Sequence, residues 1–370
     1  MKKEILSSLR TYPFATKALH THEVMTWRDA FRELETRLGK GSCENLSSAG
    51  EFSEKRIDAI RICIENCPEL KEAEGRGFGW IVTGSLGRLE ALEASDVDLM
   101  LLLPPGVHTT SGDVIDLDQL ARKLLGDALG VKISQGKNLT SPTSQDEISS
   151  PDYIGGDLDT VAYLTKRTLL LTESRSILRP EVRLAFRDAV FDAFFKSAQT
   201  KGRHLLSLVN DIARYYRTVC VDYKSRVDSE RKPWAVRNIK LRHARKYWFF
   251  SSMLAMVCAA ARFEHKLDSA EEEVKNLFDQ TPTERLLWAL DKAGLSNHLN
   301  VICWYEKYLG LIGNPAIRDE LDTVDHPKRY NSDAFRLLKD NSDSLHMAMI
   351  DIIEALPPHW RRHLLGHFLL

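Results

Sequence analysis

The spacing of apolar residues changes from helical to alternating and back to helical along the chain. From Ala15 to about Leu38, Leu19, Val24, Trp27, Phe31 and Leu34 recur at helical intervals, and the Gly/Ser-rich stretch Gly39 to Gly50 then predicts a loop. The helical period returns from Glu51 through Ile57, Ile60, Ile64 and Cys67, breaks near Pro68 and gives way to a glycine-bearing turn at EGRGFG. Trp80-Ile81-Val82 is a short β-type run, and Val97 to Leu103 is a longer one stopped by Pro104-Pro105-Gly106. Between them, Ser85 to Ser95 suits a turn and one or two turns of helix. Asp116 to Leu129 predicts an amphipathic helix, Val131 to Ser134 a short third strand, and Gln135 to Pro151 a long loop. Beyond Asp157 the pattern predicts helices and no strand: 160–176, 180–200, 202–225, 238–265, 283–293, 299–312, 333–338 and 344–356. The expected class is α+β, with an N-terminal helical segment (1–75), a small α/β domain (76–175) and a helical C-terminal domain (176–370).

Composition narrows this picture. With 370 residues, 43% of them apolar, the chain can bury at least one substantial core, and two domains are expected. The 51 Lys+Arg balance 52 Asp+Glu, so attraction to nucleic acid or an anionic surface must be local. The 6 cysteines are scattered, against a disulfide framework, and Cys63 and Cys67 have no second Cys/His pair at zinc-finger spacing. No run reaches the ~18 apolar residues of a spanning helix, and no apolar stretch follows the first lysines. A cytoplasmic protein without membrane insertion is expected; nothing in the sequence sets an oligomeric state.

The chemistry concentrates between Trp80 and Met100. A strand ends at Val82, Gly84-Ser85 opens a helix, and a second strand begins near Asp96. If the strands are neighbours, the turn and the start of the second strand share one sheet edge, where backbone N–H groups face phosphate. Asp96 and Asp98, one residue apart on a strand, project from one face while Val97 enters the core. Such carboxylates repel unless a cation lies between them, and their hard oxygens suit Mg²⁺ or Mn²⁺. Gly84 permits close backbone approach, and the Ser85 hydroxyl and N–H can hold terminal phosphates.

The run Gly84-Ser85-Leu86-Gly87-Arg88-Leu89-Glu90, followed by Ser95-Asp96-Val97-Asp98-Leu99, resembles the polymerase-β-like nucleotidyltransferase superfamily, in the branch of PII uridylyltransferase and related nucleotidyltransferases. The likeness is tight over roughly residues 80–103 and weaker through Ile154-Gly155-Gly156-Asp157, Leu164 to Arg167 and Asn210-Asp211-Ile212. It implies a minimal polymerase-β-like α/β domain. The implied reaction is transfer of an NMP or dNMP from a nucleoside triphosphate to a hydroxyl, with release of pyrophosphate. Asp96 and Asp98 are then the metal ligands, Gly84 and Ser85 bind nucleotide, and Arg88 stabilises triphosphate charge while Glu90 orients it or the turn. An ordinary ion pair is the other reading of Arg88 and Glu90. Polymerising members usually add a third carboxylate on a later strand; Asp157 and Asp159, beside Gly155-Gly156, are the best candidates, and Glu147 comes next.

Arg231 to Lys246 holds seven Lys/Arg and no acid. It reads as a solvated face or as a basic wall in which Arg237 and Lys240, with His243 in the same stripe, hold triphosphate or acceptor. Asp211, Arg214 and Tyr215 share a helix face, and Tyr215, Tyr216 and Trp234 are candidates to stack on a base or to pack in a core. Glu173 and Arg175 suit either an ion pair or substrate contacts. The acceptor is a protein side chain or a short nucleic acid; the latter would make the protein a template-independent maker of oligonucleotides, as a signal or in phage defence. A catalytically silent nucleotide sensor is the rival from another class.

Overall fold

The computed structural model describes residues 26–134, 140–196, 204–230, 234–263 and 266–368. Its class is α+β: helices dominate, with one four-stranded mixed sheet among the described residues. No helix among them is long and apolar enough to cross a membrane.

The described residues open with α1 (Trp27–Leu38), α2 (Glu44–Glu65) and α3 (Pro68–Gly75). Two compact units follow from the contacts, and their division differs from the three segments expected. Described residues 51–134 and 140–196 form the first unit; the second takes residues 26–50 together with everything described from 204 onward. The expected helix from Ala15 lies outside the described residues up to 25, and from there it is α1. A Thr26/Asp29 capping box starts it, and Trp27, Ala30, Phe31 and Leu34 form its buried stripe.

The sheet of the first unit contains β1 (Gly79–Thr83), β2 (Asp98–Leu103), β3 (Thr143–Ser144) and β4 (Arg175–Leu178) in the order β3-β2-β1-β4. β1 is antiparallel to both β2 and β4, and β2 is parallel to β3. Both central strands are buried almost throughout, which is why they read as continuous apolar runs. The helices of this unit are α4 (Gly84–Gly87), α5 (Gly112–Leu129), α6 (Gln145–Ser149), α7 (Val161–Thr172) and α8 (Pro180–Lys196).

The second unit adds α9 (His204–Glu230), α10 (Trp234–Lys240), α11 (Lys246–Arg262), α12 (Leu267–Phe278), α13 (Pro282–Lys292), α14 (Asn300–Gly313), α15 (Pro315–Asp322), α16 (Asp333–Ala355) and α17 (Pro358–Phe368). A π-helical turn, Leu241–Arg245, joins α10 to α11. The core is centred on α11, whose residues are nearly all buried, and on Tyr247 stacked 3.8 Å from Tyr305.

Several expectations are corrected. Residues 44–50 are helix rather than loop: the Glu306 carboxylate accepts from the N–H groups of Asn45 (2.7 Å) and Leu46 (2.8 Å), a start signal 260 residues away. The third strand expected at Val131–Ser134 is a single bridge, Ile133 to Val97. Its place beside β2 is taken by β3, which with α6 falls inside the stretch expected to be a long loop; residues 135–139 of that stretch lie outside the described residues. A strand does occur beyond Asp157, since α7 stops at Thr172 and β4 pairs with β1. The two helices expected over 333–356 are one. The polar run that suggested a break carries Asn341 and Ser342 on the core side, and Asn341 is bonded to Trp304 O (3.2 Å) and His243 (3.0 Å). Helices α12, α15 and α17 were not expected from the pattern.

Candidate active site

Thr83, the last residue of β1, pairs across the antiparallel ladder with Asp98, the first of β2. This register brings the chain leaving β1 at Gly84 beside the Asp98 carboxylate. Gly84 has φ +67°, and a Cβ built on it would lie 2.6 Å from Asp98 Oδ2. Left-handed backbone and an occupied side-chain space thus both require glycine here. Asp96 is exposed and Asp98 half-buried, on either side of Val97, which is 1% exposed. The alternation expected of these three residues is therefore present, although regular pairing with β1 begins only at Asp98.

α4 is a single turn closed by a left-handed cap. Glu90 N–H donates to Ser85 O (2.8 Å) and Leu89 N–H to Leu86 O (3.1 Å), the two bonds of a Schellman turn. Leu89, at φ 59°, occupies the position that glycine usually fills. Left-handed backbone costs such a residue about 1–2 kcal/mol. Its side chain is 6% exposed, and burial worth about 1.5–3 kcal/mol offsets that strain.

Arg88 lies between two acids. Its Nε donates to Glu90 Oε2 (2.7 Å) and its Nη1 to Glu173 Oε2, and none of the three residues is more than 6% exposed. Glu173, immediately after α7, therefore reaches back 85 residues. Arg175 Nε donates to Gly87 O (3.3 Å), and a Cβ on Gly87 would lie 1.8 Å from the Glu173 carbonyl oxygen. Glu173 and Arg175 thus both contact the turn that carries Gly84 and Ser85. The sequence left Glu173 and Arg175 open between an ion pair and substrate contacts, and it holds no local signal for this pairing.

Arg122 of α5 supports the other side of the site. Its guanidinium donates to Leu99 O (3.1 Å), Ser134 O (2.6 Å) and Thr140 O (2.5 Å) and is paired with Asp118 (2.8 Å). The backbone next to Asp98 is thereby tied to the segment beside it. An arginine four residues from an aspartate on a helix carries no sequence signal that sets it apart from a surface pair.

The candidate third carboxylates are dispersed in role. Asp157 is exposed in a turn. Asp159 is bonded to Arg167 at 3.1 and 3.2 Å, with both side chains at most 3% exposed. Glu147 caps α6 and accepts from Thr109 Oγ1 at 2.8 Å.

In the second unit, Arg237 and Lys240 are half-buried on α10, whereas residues 231–233 of the basic run lie outside the described residues. His243 leaves the expected basic stripe. It is fully buried, stacked 4.2 Å from Tyr308 and bonded to Ile239 O (2.8 Å) and Asn341 Oδ1 (3.0 Å), and burial pushes its imidazole down to about 4. The candidate stacking residues are engaged by the protein itself: Tyr215 edge-on to Trp248, Tyr216 stacked 4.3 Å from Phe249, and Trp234 against His326 and Phe335. Asp211 and Arg214 form an ion pair at 2.9 Å.

Comparison with models of known families, with curated proteins and with solved structures finds no match.

Proposed function

We propose that the first unit is a metal-dependent nucleotidyltransferase of the polymerase-β-like kind, moving an NMP or dNMP from a nucleoside triphosphate to a hydroxyl of a protein or a short nucleic acid. The observation that carries this reading is Gly84 against Asp98: a left-handed glycine opening a helical turn, with a strand-borne carboxylate oxygen 2.6 Å from its Cβ position. Backbone that can approach phosphate and a carboxylate that can ligate a cation meet at one sheet edge.

The donor set fits Mg²⁺ or Mn²⁺. Asp96 and Asp98 offer hard oxygens on either side of buried Val97, and Mg²⁺ is commonly held by one or two carboxylates, with substrate phosphates completing its shell. Bound there, the ion would supply charge neutralisation and a more acidic acceptor hydroxyl. The chain's own part is to orient: the Ser85 hydroxyl and the N–H groups of the turn hold the triphosphate tail, and the β1/β2 register keeps Asp98 in place. Arg237 and Lys240 are the separate, acceptor-binding part of the proposal. Charge reversal at both should weaken acceptor affinity, and unchanged affinity would remove them from it.

A second reading, a nucleotide sensor without turnover, is favoured by Asp159, whose carboxylate is held by Arg167 rather than poised for an acceptor proton. Calorimetric titration with Mg²⁺ and each NTP tests the shared first step. Asp96→Ala should lose metal-supported NTP binding with its circular dichroism unchanged. Unaltered Mg²⁺ and NTP affinity would defeat the metal role.

A further inference from the structure

We infer that Arg88, Glu90 and Glu173 form a positioning clamp for the Gly84–Ser85 turn, acting on a bound triphosphate through the turn's backbone rather than by touching it. The inference rests on the reading of this unit as a nucleotidyltransferase, and it reassigns Arg88 and Glu90 from nucleotide contacts to the support behind them.

Charge is the first argument. An arginine that binds phosphate directly presents uncompensated positive charge. Arg88 is 4% exposed, and its charge is met by two carboxylates that are themselves buried. Nor can the guanidinium swing outward without breaking two buried, charge-assisted hydrogen bonds.

Connectivity is the second. Arg88 and Glu90 flank Leu89, the residue held at φ 59°. A strained turn persists only where its surroundings over-determine it. Here the surroundings are the lead-in to β4: Glu173 takes the Arg88 guanidinium, the Glu173 carbonyl fills the space at Gly87, and Arg175 donates to Gly87 O. Arg175 then pairs with Val82 in the sheet. The chain from β1 through the turn and across the clamp into β4 returns to β1, a closed circuit that fixes the turn relative to Asp98.

The test uses Mg²⁺ with inorganic tripolyphosphate, which requires no knowledge of the preferred base, on full-length wild type, Arg88→Met, Glu173→Gln and the double variant. Binding is measured by calorimetry and amide hydrogen exchange is followed over residues 84–90. Glu173→Gln, which removes no candidate phosphate contact, should weaken tripolyphosphate binding about tenfold and accelerate exchange in the turn at least tenfold. Arg88→Met should do the same, and the double variant should be no worse than the poorer single one. Glu173→Asp and Arg88→Lys serve if the first variants do not fold.

Wild-type affinity and exchange in Glu173→Gln, beside lost binding in Arg88→Met, would assign Arg88 to the phosphate and overturn the clamp. Lower melting temperatures with unchanged affinity and unchanged local exchange would make the triad merely structural and overturn it as well. If wild type binds no tripolyphosphate, the nucleotidyltransferase reading fails, and the exchange in Glu173→Gln alone then decides whether the clamp exists.

Discussion

Gly84 and Asp98 occupy each other's space: the carboxylate Oδ2 of one sits 2.6 Å from where a side chain on the other would begin. Gly84→Ala therefore meets two penalties, about 1–2 kcal/mol for left-handed backbone and displacement of the Asp98 carboxylate. The proposed transferase activity should fall at least about 100-fold, since small misplacements of reacting groups cost that much, while the far-ultraviolet spectrum is retained. Activity within a few-fold of wild type would show that the fit is unimportant.

Leu89 reverses the usual ranking of substitutions. Alanine would keep the left-handed strain and lose the buried side chain, costing about 2–3 kcal/mol, whereas glycine would lose the same contacts and relieve about 1–2 kcal/mol of strain. Chemical denaturation should place Leu89→Gly above Leu89→Ala in stability. The opposite order would remove the account of this cap.

The parts of this site readable in the sequence are those written in neighbouring residues. The strands around Val82 and Asp98, the glycine-serine turn and the alternation of Asp96, Val97 and Asp98 all follow from short-range pattern. What the sequence concealed is long-range. Glu173 belongs with Arg88, Glu306 starts a helix at Asn45, and β4 is a strand because β1 offers it an open edge. His243 looked basic because its neighbours are Arg242 and Arg245, yet the π-helical turn buries it against Tyr308 and Asn341 and makes it a core residue.

The buried imidazole sets a pH dependence. Above about pH 6.5 His243 is neutral in both folded and unfolded chains and contributes no slope. Below that, the unfolded chain takes up a proton that the folded chain, held near 4, refuses, so stability declines as pH falls from 6.5 to about 4. The loss from this residue amounts to at most about 3 kcal/mol. Multiple-bond ¹H–¹⁵N spectra should show a neutral His243 ring at pH 5.5. A charged ring there would contradict the burial argument.

The central claim is that Asp96 and Asp98 serve nucleotidyl transfer. Its most direct test is incubation of the purified protein with each ribo- and deoxynucleoside triphosphate, labelled at the α-phosphate, with Mg²⁺ or Mn²⁺, beside the Asp96→Ala/Asp98→Ala variant. The account predicts label on protein or in a ladder of short products from wild type and none from the variant. Equal labelling by both would contradict it, as would the absence of label from wild type with every nucleotide and both metals.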